Sequence, residues 1–405
     1  MKEIVRASIS GMTWSALGHV VVRGSQFVIG IFLARLLTPA DFGLIGMLGI
    51  FLGVSDMFVN CGFPLAFVRK TDRTEKDAST VFWFSLAMSL ACYAVMVAAA
   101  PAIAAFFGEP SLAPITRVVS LGIVLGALAT VPQALLRIRL RFAAQSVISV
   151  VSVMASGALG IFLAMRGYGV WSLVWQGVLY GCLAFAFAAV AVRWRPRLSF
   201  SAESFKEFFS FGWKHLLSSI VNAVYYHIYS LVAGKALGAA SVGIYNRAHS
   251  WSALPPQALS EAMTTVNYPL LARFQSDNAA LRRAYDTLAL ASLGLLAPVL
   301  GLLAFFAEPI VGTILGEQWI CCAPYIRILA VGLAFEPTMS LYQNMLYLKG
   351  RTDIVLKLEI VQKPVCFALV FTGLPFGLAG LCVAKSVSTV FMATVNLAVA
   401  RRLAR

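Results

Sequence analysis

Long apolar stretches, most of them about 20 residues or more, recur along this chain, each closed by a short polar turn. Such a stretch can satisfy its backbone polar groups in hydrocarbon only as a helix. The expected fold class is therefore an all-α polytopic membrane protein. Spans are expected near 10–34, 42–67, 79–106, 113–136, 146–165 and 169–192, then near 213–236, 241–264, 285–307, 321–346, 353–373 and 377–400. Composition agrees: 60% of residues are hydrophobic and 12% charged, against roughly 25% charged in soluble domains. A chain of 405 residues has room for about twelve such helices and no sizeable soluble domain.

Orientation follows from the basic residues. Most of the 32 lysines and arginines fall in alternate connections, such as Arg69, Lys70, Arg73 and Lys76, or Arg137, Arg139 and Arg141, or Lys349, Arg351 and Lys357. The intervening connections hold only Arg35, Arg117, Arg166 and Lys235. The positive-inside rule then places both termini in the cytoplasm. The same parity retains the eighth span, which hydropathy alone would reject for its Asn246, Arg247, His249, Gln257 and Glu261; a helix so polar must face protein or water. The net charge of +15 thus reads as topology, and no nucleic-acid partner is expected. Lys2 and Arg6 precede a retained first span rather than a cleaved leader, because Arg23 interrupts the apolar run and no small-residue cleavage site follows. The seven cysteines show no metal-binding or redox spacing, so no metal site and no cofactor are expected.

The two halves read as repeats. WSALGHVVVRGSQFVIGIFLARLLTPADFGLIGM begins at Trp14, and WKHLLSSIVNAVYYHIYSLVAGKALGAASVGIYNRA begins at Trp213. Arg35 and Gly43 stand eight apart, as do Lys235 and Gly243. This gives an N-terminal six-helix lobe over 1–194, a linker over 195–212 and a C-terminal six-helix lobe over 213–405, a parallel repeat about an axis along the membrane normal. The linker, with Phe205, Phe208 and Phe209 set against Lys206 and Glu207, is expected to be an amphipathic helix on the cytoplasmic surface.

Ionisable residues within spans are expensive and mark function or pairing. His19, Arg23 and Gln26 share one face of the first span, and Asp56 and Asn60 one face of the second. Arg247, Gln257 and Glu261 lie on the eighth, Asn222 on the seventh and Glu336 on the tenth. Glu359 and Lys363 are spaced for an intrahelical ion pair, and Lys385 heads a polar face of the last span. With Arg327 on the tenth span, five cations stand against four carboxylates in the span interiors, which favours an anionic ligand such as a diphosphate. Arg23, Arg247, Lys363 and Lys385 are its expected contacts; His19, Gln26, Asp56, Asn60, Asn222, Gln257, Glu261 and Glu336 are expected to line the cavity or carry a coupling ion. Among these residues no paired carboxylates, Ser-His-Asp set or metal-ligand cluster is evident, so no catalytic residue is expected.

With LARLLTPADFGLIGM at 33–47, FKEFFSFGW at 205–213 and LGAASVGIYNRA at 237–248, the chain resembles the polysaccharide transporter family. These are the Wzx-type lipid-linked oligosaccharide flippases, within the superfamily of the MATE exporters and lipid II flippases, and the colanic-acid exporters are the most similar type. The resemblance implies two six-helix lobes around a cavity that opens alternately to either side of the bacterial inner membrane. It implies export of an undecaprenyl-diphosphate-linked oligosaccharide for surface polysaccharide, coupling to H+ or Na+, and contact with the polymerising machinery. It also implies cavity arginines on the first and eighth helices, where Arg23 and Arg247 lie. Many relatives carry two further spans after the twelfth, where this sequence reads RRLAR. A MATE-like drug antiporter is the alternative, disfavoured by the cationic cavity; a membrane polymerase or ligase is weaker still, for want of a long outer loop.

Overall fold

The computed structural model describes residues 2–70, 72–271, 278–349 and 351–403, with backbone only at 2–17, 19, 211, 214, 215, 218, 262, 264–271, 278–280, 352 and 403. Every regular element among these residues is helical. The chain divides into two compact units, Met1–His227 and Ile228–Arg405.

The first unit holds α1 (Lys2–Leu36), α2 (Pro39–Asn60), α3 (Phe63–Arg69), α4 (Glu75–Phe107), α5 (Leu112–Val119), α6 (Leu121–Ile138), α7 (Phe142–Met165), α8 (Trp171–Val192) and most of α9 (Ala202–Leu237). The second holds the end of α9, then α10 (Ala239–Leu271), α11 (Asn278–Phe305), α12 (Ala307–Ile314), α13 (Ala323–Leu333), α14 (Glu336–Leu348), α15 (Thr352–Gly373) and α16 (Gly377–Leu403). Eight segments are long and apolar enough to cross a membrane: Pro39–Arg69, Glu75–Phe107, Leu112–Ile138, Phe142–Met165, Trp171–Val192, Leu281–Phe305, Glu317–Leu348 and Asp353–Arg402, the last containing both α15 and α16. The other three expected spans fall on α1, α9 and α10, which are helical but outside these eight.

The two units repeat one packing order. In the first, α6 packs on α8, α7 on α8 and α4 on α6; in the second, α13 and α14 pack on α16, α15 on α16, and α11 on α13 and α14. Even the interruptions correspond, since α5 gives way to α6 at Ser120 and α13 gives way to α14 at Ala334 and Phe335.

Local chemistry sets the helix ends. The TPAD sequence opens α2 as a capping box: Asp41 N–H donates to Thr38 Oγ1 (3.3 Å), Thr38 N–H donates back to the Asp41 carboxylate (2.9 Å), and Pro39 fills the first turn where no N–H is needed. The second expected span is broken at Cys61 (φ 40°) and Gly62 (φ 69°). The chain restarts there as α3, which turns Phe63 and Phe67 into a cluster with Phe82 and Phe208.

Residues 193–201 are not helical, turning at Arg193 (φ 54°), and lead into α9, which continues without a break through the seventh expected span. They are fastened to the start of α4. Trp194 donates its indole N–H to Glu75 (2.9 Å), Trp83 donates to the Arg197 carbonyl (2.7 Å), and Arg197 and Ser201 donate backbone N–H groups to Ser79 and Thr80 (3.2 and 3.0 Å). Lys70 clasps the next turn, reaching Asp77 at 3.2 Å and Glu207 at 2.9 Å. The apolar face expected of the linker divides: Phe208 is buried in the aromatic cluster, whereas Phe209 is exposed. The bond to Glu207, with help from Asp77, holds the Lys70 ammonium above the ordinary lysine range.

Candidate functional site

Within the first unit, α2, α3, α6 and α8 line an open cavity of about 490 Å³, a volume typical of small-ligand sites. Its wall on α6 is a single helical stripe that includes Gly126, Thr130, Gln133 and Arg137, and α8 contributes Gly177, Tyr180 and Gly181. Asp56 and Asn60 face it from α2. The Asn60 amide donates to the Asp56 backbone carbonyl at 3.0 Å and lies beside the Asp56 carboxylate. Thr130 donates to the Gly126 carbonyl at 3.1 Å. Two of the expected residues, Asp56 and Asn60, are thus brought together. Arg23 and Gln26 are exposed on α1 and Asn222 is exposed on α9, and none of the three lines this cavity. The side chain of His19 lies outside the described residues.

The second unit gathers the other basic candidates, each against a partner. The Arg247 guanidinium lies 5.2 Å from the centroid of the fully buried Trp319 ring, a cation–π contact. Lys385 Nζ lies 5.3 Å from the Tyr229 ring, whose hydroxyl donates to Ser388 at 3.1 Å. Lys385 and Glu336 also interact electrostatically. The break between α13 and α14 explains how Glu336 is tolerated, because it stands in the first turn of α14, where the helix dipole favours a negative charge. Glu336 Oε2 is buried without a hydrogen-bond partner among the described residues.

Lys363 is buried and pairs with Glu359 at 3.2 Å, as their spacing predicts. Gln362, one residue earlier, donates to Asn396 at 2.9 Å in a fully buried bond. Gln257 is half-buried and Glu261 exposed on α10. Arg327, a further basic residue inside an expected span, bonds Glu308 at 2.9 Å and the Ala304 carbonyl at 3.1 Å.

Thr130, Gln133, Arg137 and Tyr180 were not anticipated from sequence as cavity residues. The signal that points to them is the pair of glycine rows, Gly122 with Gly126 and Gly177 with Gly181, each at a spacing of four and so on one helical face.

Residues 32–324 match the family described as polysaccharide biosynthesis protein. The teichuronic acid biosynthesis protein TuaB of Bacillus subtilis is 26% identical over 366 residues, covering 87% of this chain and 74% of its own. The succinoglycan biosynthesis transport protein ExoT of Rhizobium meliloti is 27% identical over 337 residues (83% and 68%), and the lipopolysaccharide biosynthesis protein WzxC of Escherichia coli is 24% identical over 363 (88% and 73%). Among solved structures, the lipid II flippase MurJ in an inward closed conformation aligns with a TM-score of 0.75 at 15% identity, over 95% of this chain and 87% of that one. An inward-facing multidrug resistance MATE family transporter aligns with a TM-score of 0.73 at 19% identity, over 94% of each. At these identities the two structures establish a shared fold. Eight segments long and apolar enough to cross a membrane agree with that fold in a multi-pass membrane protein. With the family match running across more than two thirds of its length, the chain belongs to the polysaccharide biosynthesis protein family.

Proposed function

We propose that the protein is a flippase that carries an undecaprenyl-diphosphate-linked oligosaccharide from the cytoplasmic to the periplasmic leaflet by alternating access. One observation carries the reading: a chain of the polysaccharide biosynthesis protein family has the helical fold of transporters, the lipid II flippase among them. Its relatives include a succinoglycan transport protein and a lipopolysaccharide biosynthesis protein. The basic residues within the helices support it. Arg23, Arg247, Lys363 and Lys385 are suited to a diphosphate, and arginine stays charged in a low dielectric while matching phosphate oxygens with its planar fork. Lys363 is the weakest of the four, because Glu359 already pairs with it.

In this reading both termini are cytoplasmic and the helices that cross the membrane number twelve. Coupling to H+ or Na+ falls to Glu336 beside Lys385. The exported saccharide passes to polymerising machinery in the periplasm, and the protein itself moves its substrate without altering a bond. A second reading, an ion-coupled multidrug antiporter, draws on the MATE fold. It is disfavoured because the helices carry more cations than carboxylates, the reverse of what an organic cation needs.

Deletion of the gene tests the proposal. A lipid-linked saccharide should accumulate in the cytoplasmic leaflet, and Arg23→Ala or Arg247→Ala should fail to restore export while inserting normally. Unchanged surface polysaccharide with no accumulating lipid would refute it.

A further inference from the structure

The cavity in the first unit holds open a space that its helices gain nothing by leaving empty. Gly126 on α6 and Gly177 on α8 face it from within helices, where glycine is weaker than alanine. A Cβ built at either position meets no heavy atom within 4 Å, so packing does not call for glycine there. Elsewhere in the same unit packing does call for it: a Cβ at Gly157 would collide with Ile29, and one at Gly160 would lie 3.0 Å from Gln176 Oε1. What the bare backbone at 126 and 177 preserves is room.

Polar groups line that room, Asn60 and Gln133 half-buried and Asp56, Arg137 and Tyr180 exposed. Gln133, Arg137 and Tyr180 line the cavity, and among the described residues their side chains take no hydrogen-bond or ion-pair partner from the protein. Gln133 and Tyr180 lie within segments apolar enough to cross the membrane, where a polar group needs a partner or water; Arg137 is exposed at the end of its segment. Asp56 and Asn60 add a carboxylate and a second amide.

Two amides, one carboxylate, a phenol ring and a guanidinium form a mixed donor and acceptor set with one flat apolar surface. A cation bound by protein needs several oxygens converging on it; here a single carboxylate shares the wall with an arginine. An acyl or prenyl chain would leave the amides unpaired, at a penalty. A pyranose suits the set, because its hydroxyls donate and accept while its ring face is apolar.

We propose that this cavity is the saccharide subsite of the transported lipid, with a sugar ring laid on Tyr180 and its hydroxyls bonded by Asn60, Gln133 and Asp56. The proposal rests on the flippase reading above. It assigns sugar recognition to the first unit and leaves the diphosphate to other basic residues.

The test uses the full-length protein in lipid nanodiscs and two probes: the undecaprenyl-diphosphate-linked saccharide that accumulates in the deletion strain, and undecaprenyl diphosphate without sugar. Gly126→Val and Gly177→Val should fill the cavity without lowering thermal stability, and Tyr180→Ala should remove the ring platform. Each should weaken binding of the saccharide-bearing lipid about tenfold, the loss expected for one or two ligand contacts, and leave undecaprenyl diphosphate binding unchanged. Equal weakening of both probes would make the cavity a diphosphate site, and no weakening of either would make it irrelevant to substrate; both results overturn the proposal. If the unsubstituted protein binds neither probe, the flippase reading itself falls and takes this inference with it.

Discussion

The fastening of residues 193–209 onto α4 can be tested by the unequal weight of its two carboxylates. Lys70 bridges Asp77, whose side chain is 2% accessible, and Glu207, whose side chain is 55% accessible. Asp77 also accepts from the Thr74 backbone N–H at 2.7 Å and from the Thr74 hydroxyl at 2.9 Å, closing the capping box of α4. Asp77→Ala removes all of these bonds at a buried position. A hydrogen bond to a charged group contributes about 1.5–3 kcal/mol, and surviving water contacts will recover part of the sum, so a loss of about 3 kcal/mol is expected. Glu207→Ala breaks an exposed ion pair, worth about 0–1 kcal/mol once screened by solvent.

Thermal unfolding of the purified protein, followed by its monodisperse fraction on size exclusion, should therefore show a fall for Asp77→Ala several times that for Glu207→Ala. Trp83 and Trp194, bonded into the same segment, should shift their emission to the red in the first variant only. Lys70 contributes as a cation whose folded-state pKa is raised. Its share of stability is complete below the ordinary lysine range and disappears only as pH rises through the raised value. The difference between the two variants should accordingly hold from neutral pH to about pH 9. Equal losses, or a larger loss for Glu207→Ala, would refute the view that the buried carboxylate anchors this segment.

Two further outcomes follow from the second unit. Gly332→Ala should destabilise by about 1–3 kcal/mol, read as a lower unfolding temperature, because its Cβ would collide with the Ser386 backbone where α13 crosses α16. Lys363→Met, which strands Glu359, should cost about 3 kcal/mol, whereas the double change Lys363→Met/Glu359→Gln should recover most of it; calorimetry or thermal unfolding of both variants decides whether the pair is structural.

The apolar segments were legible in the sequence because they rest on local periodicity and length. So was the pair of Glu359 with Lys363, which depends only on helical spacing. The break at Cys61 and Gly62 was not legible: a lone glycine in an apolar run is common, and the φ of Cys61 is set by how α3 docks its phenylalanines. The partners of Arg247 and Lys385 were hidden for a related reason, since Trp319 and Tyr229 lie far away in sequence. Phe208 reads as part of a bilayer-facing stripe until Phe63 is placed against it, with ring centroids 6.0 Å apart. The cavity is not legible in the sequence because glycines four apart on apolar helices ordinarily signal close packing, as Gly181 does against Leu125, and only the empty space around Gly126 and Gly177 sets those two apart.

Reconstitution puts translocation of the lipid-linked saccharide to the test. Proteoliposomes containing only the purified protein, loaded with the lipid-linked saccharide from the deletion strain and held under a proton or sodium gradient, should move that lipid between leaflets. The movement is scored by its accessibility to an added glycosidase, and Arg247→Ala should abolish it. Vesicles in which the saccharide-bearing lipid stays put while a cationic dye is exported would contradict the account and establish a drug antiporter instead.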